Sequence, residues 1–159
     1  MPGGSVTRVK SARGERGSSL VEMAISIAFL LTLVGGAFEI CFAFYTYHTI
    51  SDIAREATRY AMVRGSSCSG STGCPATQAS ILSYVQASFP GVINTSSTFM
   101  TLTATWPDSG SVCTPNSSPC NNPGNHVKVT ITYKFPLTIP FITATTITMS
   151  SSSEMVISS

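Results

Sequence analysis

Residues 20–47 read LVEMAISIAFLLTLVGGAFEICFAFYTY, a stretch with no Pro, Lys or Arg and only two charges, Glu22 and Glu39. A helix needs about 20 apolar residues, at about 1.5 Å each, to cross the hydrocarbon core of a bilayer. Met23 to Phe38 supplies sixteen uninterrupted uncharged positions, and Leu20, Val21 and Ile40 to Phe44 extend them on either side. The stretch therefore reads as a transmembrane helix. It decides the fold, because the rest of the chain must be arranged at its two ends.

Its flanks set an orientation. Arg8, Lys10, Arg13, Glu15 and Arg16 give residues 1–17 a net charge of +3, and the next basic residues are Arg55 and Arg59. The positive-inside rule then places the amino terminus in the cytoplasm and everything after about Tyr45 outside. A secretory signal peptide is the competing reading, with Gly35 and Ala37 at positions −3 and −1 of a cleavage site. Against it, the apolar run continues through Phe38, Ile40, Cys41, Phe42, Phe44 and Tyr45, where a secretory apolar region would have ended. The Gly35-Gly36 pair costs a helix about 1 kcal/mol per glycine relative to alanine, and marks either a close helix contact or a local bend.

The helix is expected to continue beyond the lipid. Ile50, Ile53, Ala54, Ala57 and Ala61 follow the i, i+3, i+4 rule, while Asp52, Arg55, Glu56 and Arg59 take the other faces. This narrow stripe requires a packed partner. The spacing of Glu56 from Arg55 and Arg59 adds a few tenths of a kcal/mol of helix support. Gly65 reads as the stop. A helix from Ser18 to Arg64 would be about 70 Å long, so half of it projects from the membrane.

Of the 159 residues 10% are charged, against about 25% in an ordinary soluble domain. Residues 65–159 contain only Asp108, Lys128, Lys134 and Glu154, so the overall +2 belongs to the leader. No basic surface remains that could neutralise several phosphates, which excludes nucleic acid as a partner. The length suits one small domain and an appended helix. The expected division is a basic leader (1–17), a spanning and projecting helix (18–64) and an outer head (65–159).

Ser and Thr make up 45 residues of the chain, and after Gly65 they dominate the loop SSCSGSTGCP. Pro75 to Phe89 suits a short amphipathic helix with Ile81, Leu82, Val85 and Phe89 on its apolar side, ended by Pro90-Gly91. Strand patterns follow. Met100, Leu102, Ala104 and Trp106 alternate with threonines, and Val127, Val129, Ile131, Tyr133 and Phe135 alternate with Lys128, Thr130, Thr132 and Lys134. Pro136 and Pro140 are expected to bracket a turn, and Ile142 to Ile157 to form a third, bent strand. An antiparallel sheet of three or four strands must lay one face against something, and the Ile50 to Ala61 stripe is the available cover. The fold class is α+β: a long N-terminal helix, transmembrane in its first half, packed on a small antiparallel β-sheet head.

Cys41 falls in the membrane helix, where a thiol behaves as a small hydrophobe. Cys68, Cys74, Cys113 and Cys120 fall outside, where disulfides persist. Four cysteines allow three pairings, and closeness in sequence favours Cys68 with Cys74 and Cys113 with Cys120. Their C-x5-C and C-x6-C spacings miss the short knuckle of zinc sites, and no His follows suitably. His48 and His126 build no catalytic arrangement with Asp52 or Asp108, and no phosphate loop or metal cluster is present. The sequence therefore implies no enzyme, no cofactor, no metal and no small-molecule substrate. Two Asn-x-Ser/Thr matches, at Asn94 and Asn116, are expected by chance in so Ser/Thr-rich a chain.

Glu22 is the acidic residue with a functional reading. A charge at mid-bilayer costs about 2.5 to 3.5 kcal/mol on insertion scales, and less near the edge. If the chain is cut after Gly17, the new amino group of Ser18 is positive and Glu22 can pair with it, within one chain or between neighbours. The alternative is a carboxylate solvated among headgroups.

Residues 13–65, RGERGSSLVEMAISIAFLLTLVGGAFEICFAFYTYHTISDIAREATRYAMVRG, resemble the TadE-like family, pseudopilin-type components of bacterial tight adherence (Tad, or Flp) pilus systems. The resemblance rests on three features in order. These are a basic leader ending in glycine, Ser-Leu-Val-Glu opening the apolar helix, and Ala54-Arg55-Glu56-Ala57-x-Arg59-Tyr60-Ala61 closing it. It implies a pilin-like protein of the bacterial inner membrane that assembles with other pilus or pseudopilin subunits, its leader removed after Gly17 by a prepilin-type aspartic peptidase. Glu22 would then be fifth in the mature chain. Met23 departs from the pattern, since that position more often holds an aromatic. The rival readings are a single-pass membrane-anchored surface or binding protein outside any pilus, and a conventionally secreted small protein.

Overall fold

The computed structural model describes residues 13–70, 72–91, 93–109, 120–137 and 145–158, with the side chains of residues 13–16 and 109 left aside. It is an α+β arrangement. Helix α1 (Arg13–Met62) is 50 residues long, about 75 Å at 1.5 Å per residue. Helix α2 (Gln78–Ser88) follows, then β1 (Met100–Thr105), a 3₁₀ turn (Pro107–Ser109), β2 (His126–Leu137) and β3 (Thr145–Val156).

The head begins where α1 first becomes buried. Ile50, Ile53, Ala54, Ala57 and Ala61, the stripe expected from periodicity, are all buried, and Thr46 and Thr58 join them. Small alanines in the middle of that stripe let the backbone approach the sheet closely, and two isoleucines supply the apolar area. A buried hydroxyl needs a partner. Thr58 donates to the Ala54 carbonyl at 2.7 Å and to the Ser153 carbonyl of β3 at 3.3 Å.

The sheet has the order β1-β2-β3, with both pairings antiparallel. Its inner face is the one the alternation predicts. Met100, Leu102 and Ala104 of β1 and Val127, Val129, Ile131 and Tyr133 of β2 are buried, and Trp106, Ile81, Val85 and Ile157 close the core around them. The outer face carries Thr101, Thr103, Thr105, Lys128, Thr130, Thr132 and Lys134, opposite the threonines, serines and Glu154 of β3. Lys128 and Glu154, directly paired across β2 and β3, stand 3.9 Å apart.

Several expectations shift at the boundaries. Helix α1 starts inside the leader and ends at Met62, before Gly65. Its end is closed by a local turn, Arg64 N–H to the Ala61 carbonyl, and by the head, with Ser158 N–H on the Met62 carbonyl and Ala76 N–H on the Arg64 carbonyl just beyond. Tertiary partners thus replace the glycine cap that the sequence suggested. Helix α2 starts three residues later than Pro75 because Thr77 and Ser80 form a reciprocal capping box. Its residues Ile81 and Val85 are buried, with Leu82 and Phe89 packed partly against the core.

Pro136 does not open a turn; it lies within β2. The reason is the direction of its missing N–H. Lys134 N–H already reaches past the end of β1 to the Phe99 carbonyl at 2.8 Å, so two residues further on that side there is no strand left to bond. Pro140 and residues 142–144 lie outside the described residues, and β3 is described from Thr145. The ion pair on the projecting helix is Arg55 with Asp52 at 3.7 Å; Glu56 instead accepts from the Tyr84 hydroxyl of α2 at 3.0 Å.

Candidate functional site

The feature that stands apart from the head is the first part of α1. From Leu20 (68% exposed) through Phe29 (69%) to Tyr45 (60%) its large apolar side chains face outward. The helix is long and apolar enough to cross a membrane, and no part of its apolar window is buried by the head. The core helix of a soluble protein would be covered by its own chain; this one is not.

Five of its hydroxyls are satisfied within the helix itself. The hydroxyls of Ser26, Thr32, Thr46, Thr49 and Ser51 each donate to the carbonyl four residues back, at 2.9 Å in every case. A hydroxyl bonded in this way enters an apolar medium at little cost, because no donor is left without a partner. Helical hydrogen bonding continues through Gly35 and Gly36. Among the described residues, apart from the helix's own neighbouring backbone, nothing lies within 4 Å of where a Cβ on Gly36 would stand, which leaves room there for a close contact with a second molecule.

Gly17, Ser18 and Glu22 lie in one continuous helical stretch and are all exposed. Ser18 and Glu22 are four residues apart, which places them on one face about 6 Å apart along the axis. A positive amino group created at Ser18 would have Glu22 within side-chain reach. Glu39 follows Glu22 by seventeen residues, about 26 Å of rise, so the two carboxylates bracket an uncharged run of nearly the thickness of a bilayer core.

The cysteines separate into three situations. Cys68 and Cys74 are joined in a disulfide with their Cα atoms 5.6 Å apart. Cys120 is buried in the core, and its expected partner Cys113 lies outside the described residues. Cys41 is a free, exposed thiol on the helix. Among the described residues no group of three or more His, Cys, Asp or Glu could hold a metal ion.

Two polar joints were not legible in the sequence. The His126 ring Nδ1 lies 2.7 Å from Asp108, and the same carboxylate oxygen accepts from the His126 backbone N–H. That backbone bond, then the side-chain bond, hold the Asp108 carboxyl below its ordinary range. The pair ties the 3₁₀ turn to the start of β2. At the other end of the head, the Arg64 guanidinium lies 3.8 Å over the Tyr60 ring, which stacks on Tyr84 at 4.2 Å. This column ties the end of α1 to α2. His126 and Asp108 are 18 residues apart in the chain and Tyr60 and Tyr84 are 24 apart, and no spacing rule links residues so separated.

The arrangement defines a class: a small α+β head carried on the end of a helix that can span a membrane. The family model described as TadE-like protein matches residues 17–59, from Gly17 to the last turn of α1. That segment is similar to the TadE-like family, in agreement with the resemblance read from its motifs. The match covers about a quarter of the chain, and the head lies beyond it. No curated protein and no solved structure matches the chain.

Proposed function

We propose that the protein is a pseudopilin-like component of a Tad/Flp-type system, acting in pilus assembly or as a minor pilus subunit, through helix packing and not through catalysis. One observation carries this reading: a TadE-like helix that leaves its apolar half bare while its other half serves as the spine of the head. Lipid covers the bare half before assembly. Like helices of other subunits would replace that lipid afterwards, packing by shape and close contact because lipid tails are as apolar as the side chains themselves.

On this reading the amino terminus is cytoplasmic and the head extracytoplasmic. A prepilin-type peptidase removes the leader after Gly17. Gly17 lies only four residues inside the start of α1, where helix ends fray and where glycine weakens the helix by about 1 kcal/mol. The chain can therefore open locally at the cut. The carboxylate of Glu22 then answers the new positive charge at Ser18, in the same subunit or in the one stacked beside it. The Cys68–Cys74 and Cys113–Cys120 disulfides staple the loops of the exported head.

Amino-terminal sequencing of the membrane-extracted protein tests this directly. The expected start is Ser18; an intact leader would mean a plain anchor, and a start near Phe38 a secreted protein. Gly17→Leu is expected to retain the leader. Glu22→Ala is expected to insert normally but to be depleted from sheared pilus fractions. Normal pilus recovery of both variants refutes the proposal.

A further inference from the structure

The two edges of the sheet are treated differently. In β1 the backbone groups of Met100, Leu102 and Ala104 point away from β2. The N–H groups of Met100 and Ala104 are covered, by the Ser96 carbonyl at 2.9 Å and by the Gln78 side chain at 3.5 Å. In β2, Lys134 faces β1, so the odd-numbered residues 127–133 face β3 and bond there to Met155, Ser153, Ser151 and Met149. The alternate residues of β3, Thr146, Thr148, Ser150, Ser152, Glu154 and Val156, therefore turn their N–H and C=O groups outward. None of these backbone groups has a partner among the described residues.

Natural edge strands are protected by shortness, proline, bulges or outward lysines. β3 is twelve residues long and has no Pro, Gly or Lys; its single charge, Glu154, is engaged by Lys128. The core also runs out to this edge. Met149 packs only partly against it, and Met155 lies in a shallow recess of about 340 Å³ that it shares with Asp52, Arg55, Glu56 and Arg59 of α1.

We propose that the free edge of β3 receives an extended strand from a different polypeptide. Its backbone continues the sheet, and its apolar alternate side chains cover Met149 and Met155 on the side of α1. The other side chains lie level with Ser150, Ser152 and Glu154 and are polar. A second copy of β3 is excluded on geometric grounds: parallel pairing of two identical edges flips the faces and would set the copy's polar side chains beside Met149 and Met155, and antiparallel pairing meets a different obstacle. Antiparallel pairing of two identical edges in one sheet uses a two-fold axis normal to the sheet. α1 lies along the face of that sheet, so the axis would reverse it, and two copies could not cross one bilayer in the same direction. This exclusion rests on the reading of α1 as a membrane span; the strand acceptor itself does not.

Amide hydrogen exchange on the full-length protein tests the proposal, comparing membranes of the cells that natively produce it with the purified protein in detergent micelles. The expected result is that the amides of Thr148, Ser150, Ser152 and Glu154 exchange about tenfold or more slowly in the membranes, and fast in micelles. Ser152→Pro removes one outward N–H and no bond to β2, so it should abolish the slowing while Ser151 and Ser153 stay protected. If that variant loses its β2 pairing, Ser150→Pro serves in its place. Equal, fast exchange in both preparations overturns the proposal. Equal protection in micelles, with a dimer mass, also overturns it, because a second copy would then be the occupant.

Discussion

Ile53→Ala isolates the contact on which the architecture depends. Ile53 is 0% exposed at the interface of α1 with the sheet, so truncation removes three carbons that no solvent can replace. At about 0.8 kcal/mol per buried methylene the transfer loss is about 2.4 kcal/mol, and the unfilled cavity adds more, for a total of about 3 to 4 kcal/mol within the range seen for such changes. Small domains hold only about 5 to 15 kcal/mol in all, so the head of the variant should unfold at clearly lower denaturant. Trp106, the single tryptophan and 4% exposed, reports that unfolding by fluorescence in detergent micelles. Phe29→Ala is the control: a larger side chain on the same helix, but 69% exposed, expected to leave the Trp106 transition where it is. A change under 1 kcal/mol for Ile53→Ala, or equal shifts for the two variants, would show that the projecting half of α1 is not the spine of the head.

Gly73 has φ +85° and faces the Tyr60 hydroxyl so closely that an added Cβ would collide with it. Gly73→Ala should cost about 1 to 2 kcal/mol from the left-handed backbone alone, with part of any excess recovered in the double variant with Tyr60→Phe; no loss in thermal midpoint would refute the contact. Asp108 has its pKa lowered in the folded state by the His126 bonds, so its contribution is present above the usual carboxylate pKa of about 3.9 and is lost as pH falls through the lower folded value. Asp108→Asn should therefore reduce stability near neutral pH, with the variant and wild-type curves converging in strong acid; a constant gap down to the acid limit would count against the bond. Tyr84→Phe, which removes the hydroxyl that Glu56 accepts at 3.0 Å, should cost about 1 kcal/mol, and full stability in a urea titration would count against that joint.

The reach of the sequence differed from element to element. The two strands with clean alternation, around Leu102 and around Ile131, were legible because each buries one face, and a period of two has only one such arrangement. β3 was harder, since TTITMSSSSEMV puts serines at Ser151 and Ser153 on the inner side. Those residues are half-buried beneath α1, where small side chains suit a close helix.

What the sequence determined by itself was the long helix, bare over Leu20–Tyr45 and striped over Ile50–Ala61, together with its TadE-like motifs. These are local patterns, written into consecutive residues by the helical period and by the absence of charge. What only the tertiary structure decided was where α1 ends, the admission of Pro136 into β2, the His126–Asp108 clasp and the contrast between a partly covered β1 edge and an open β3 edge. Each depends on which distant backbone group arrives to satisfy a donor or acceptor, and that is fixed by packing, not by spacing along the chain.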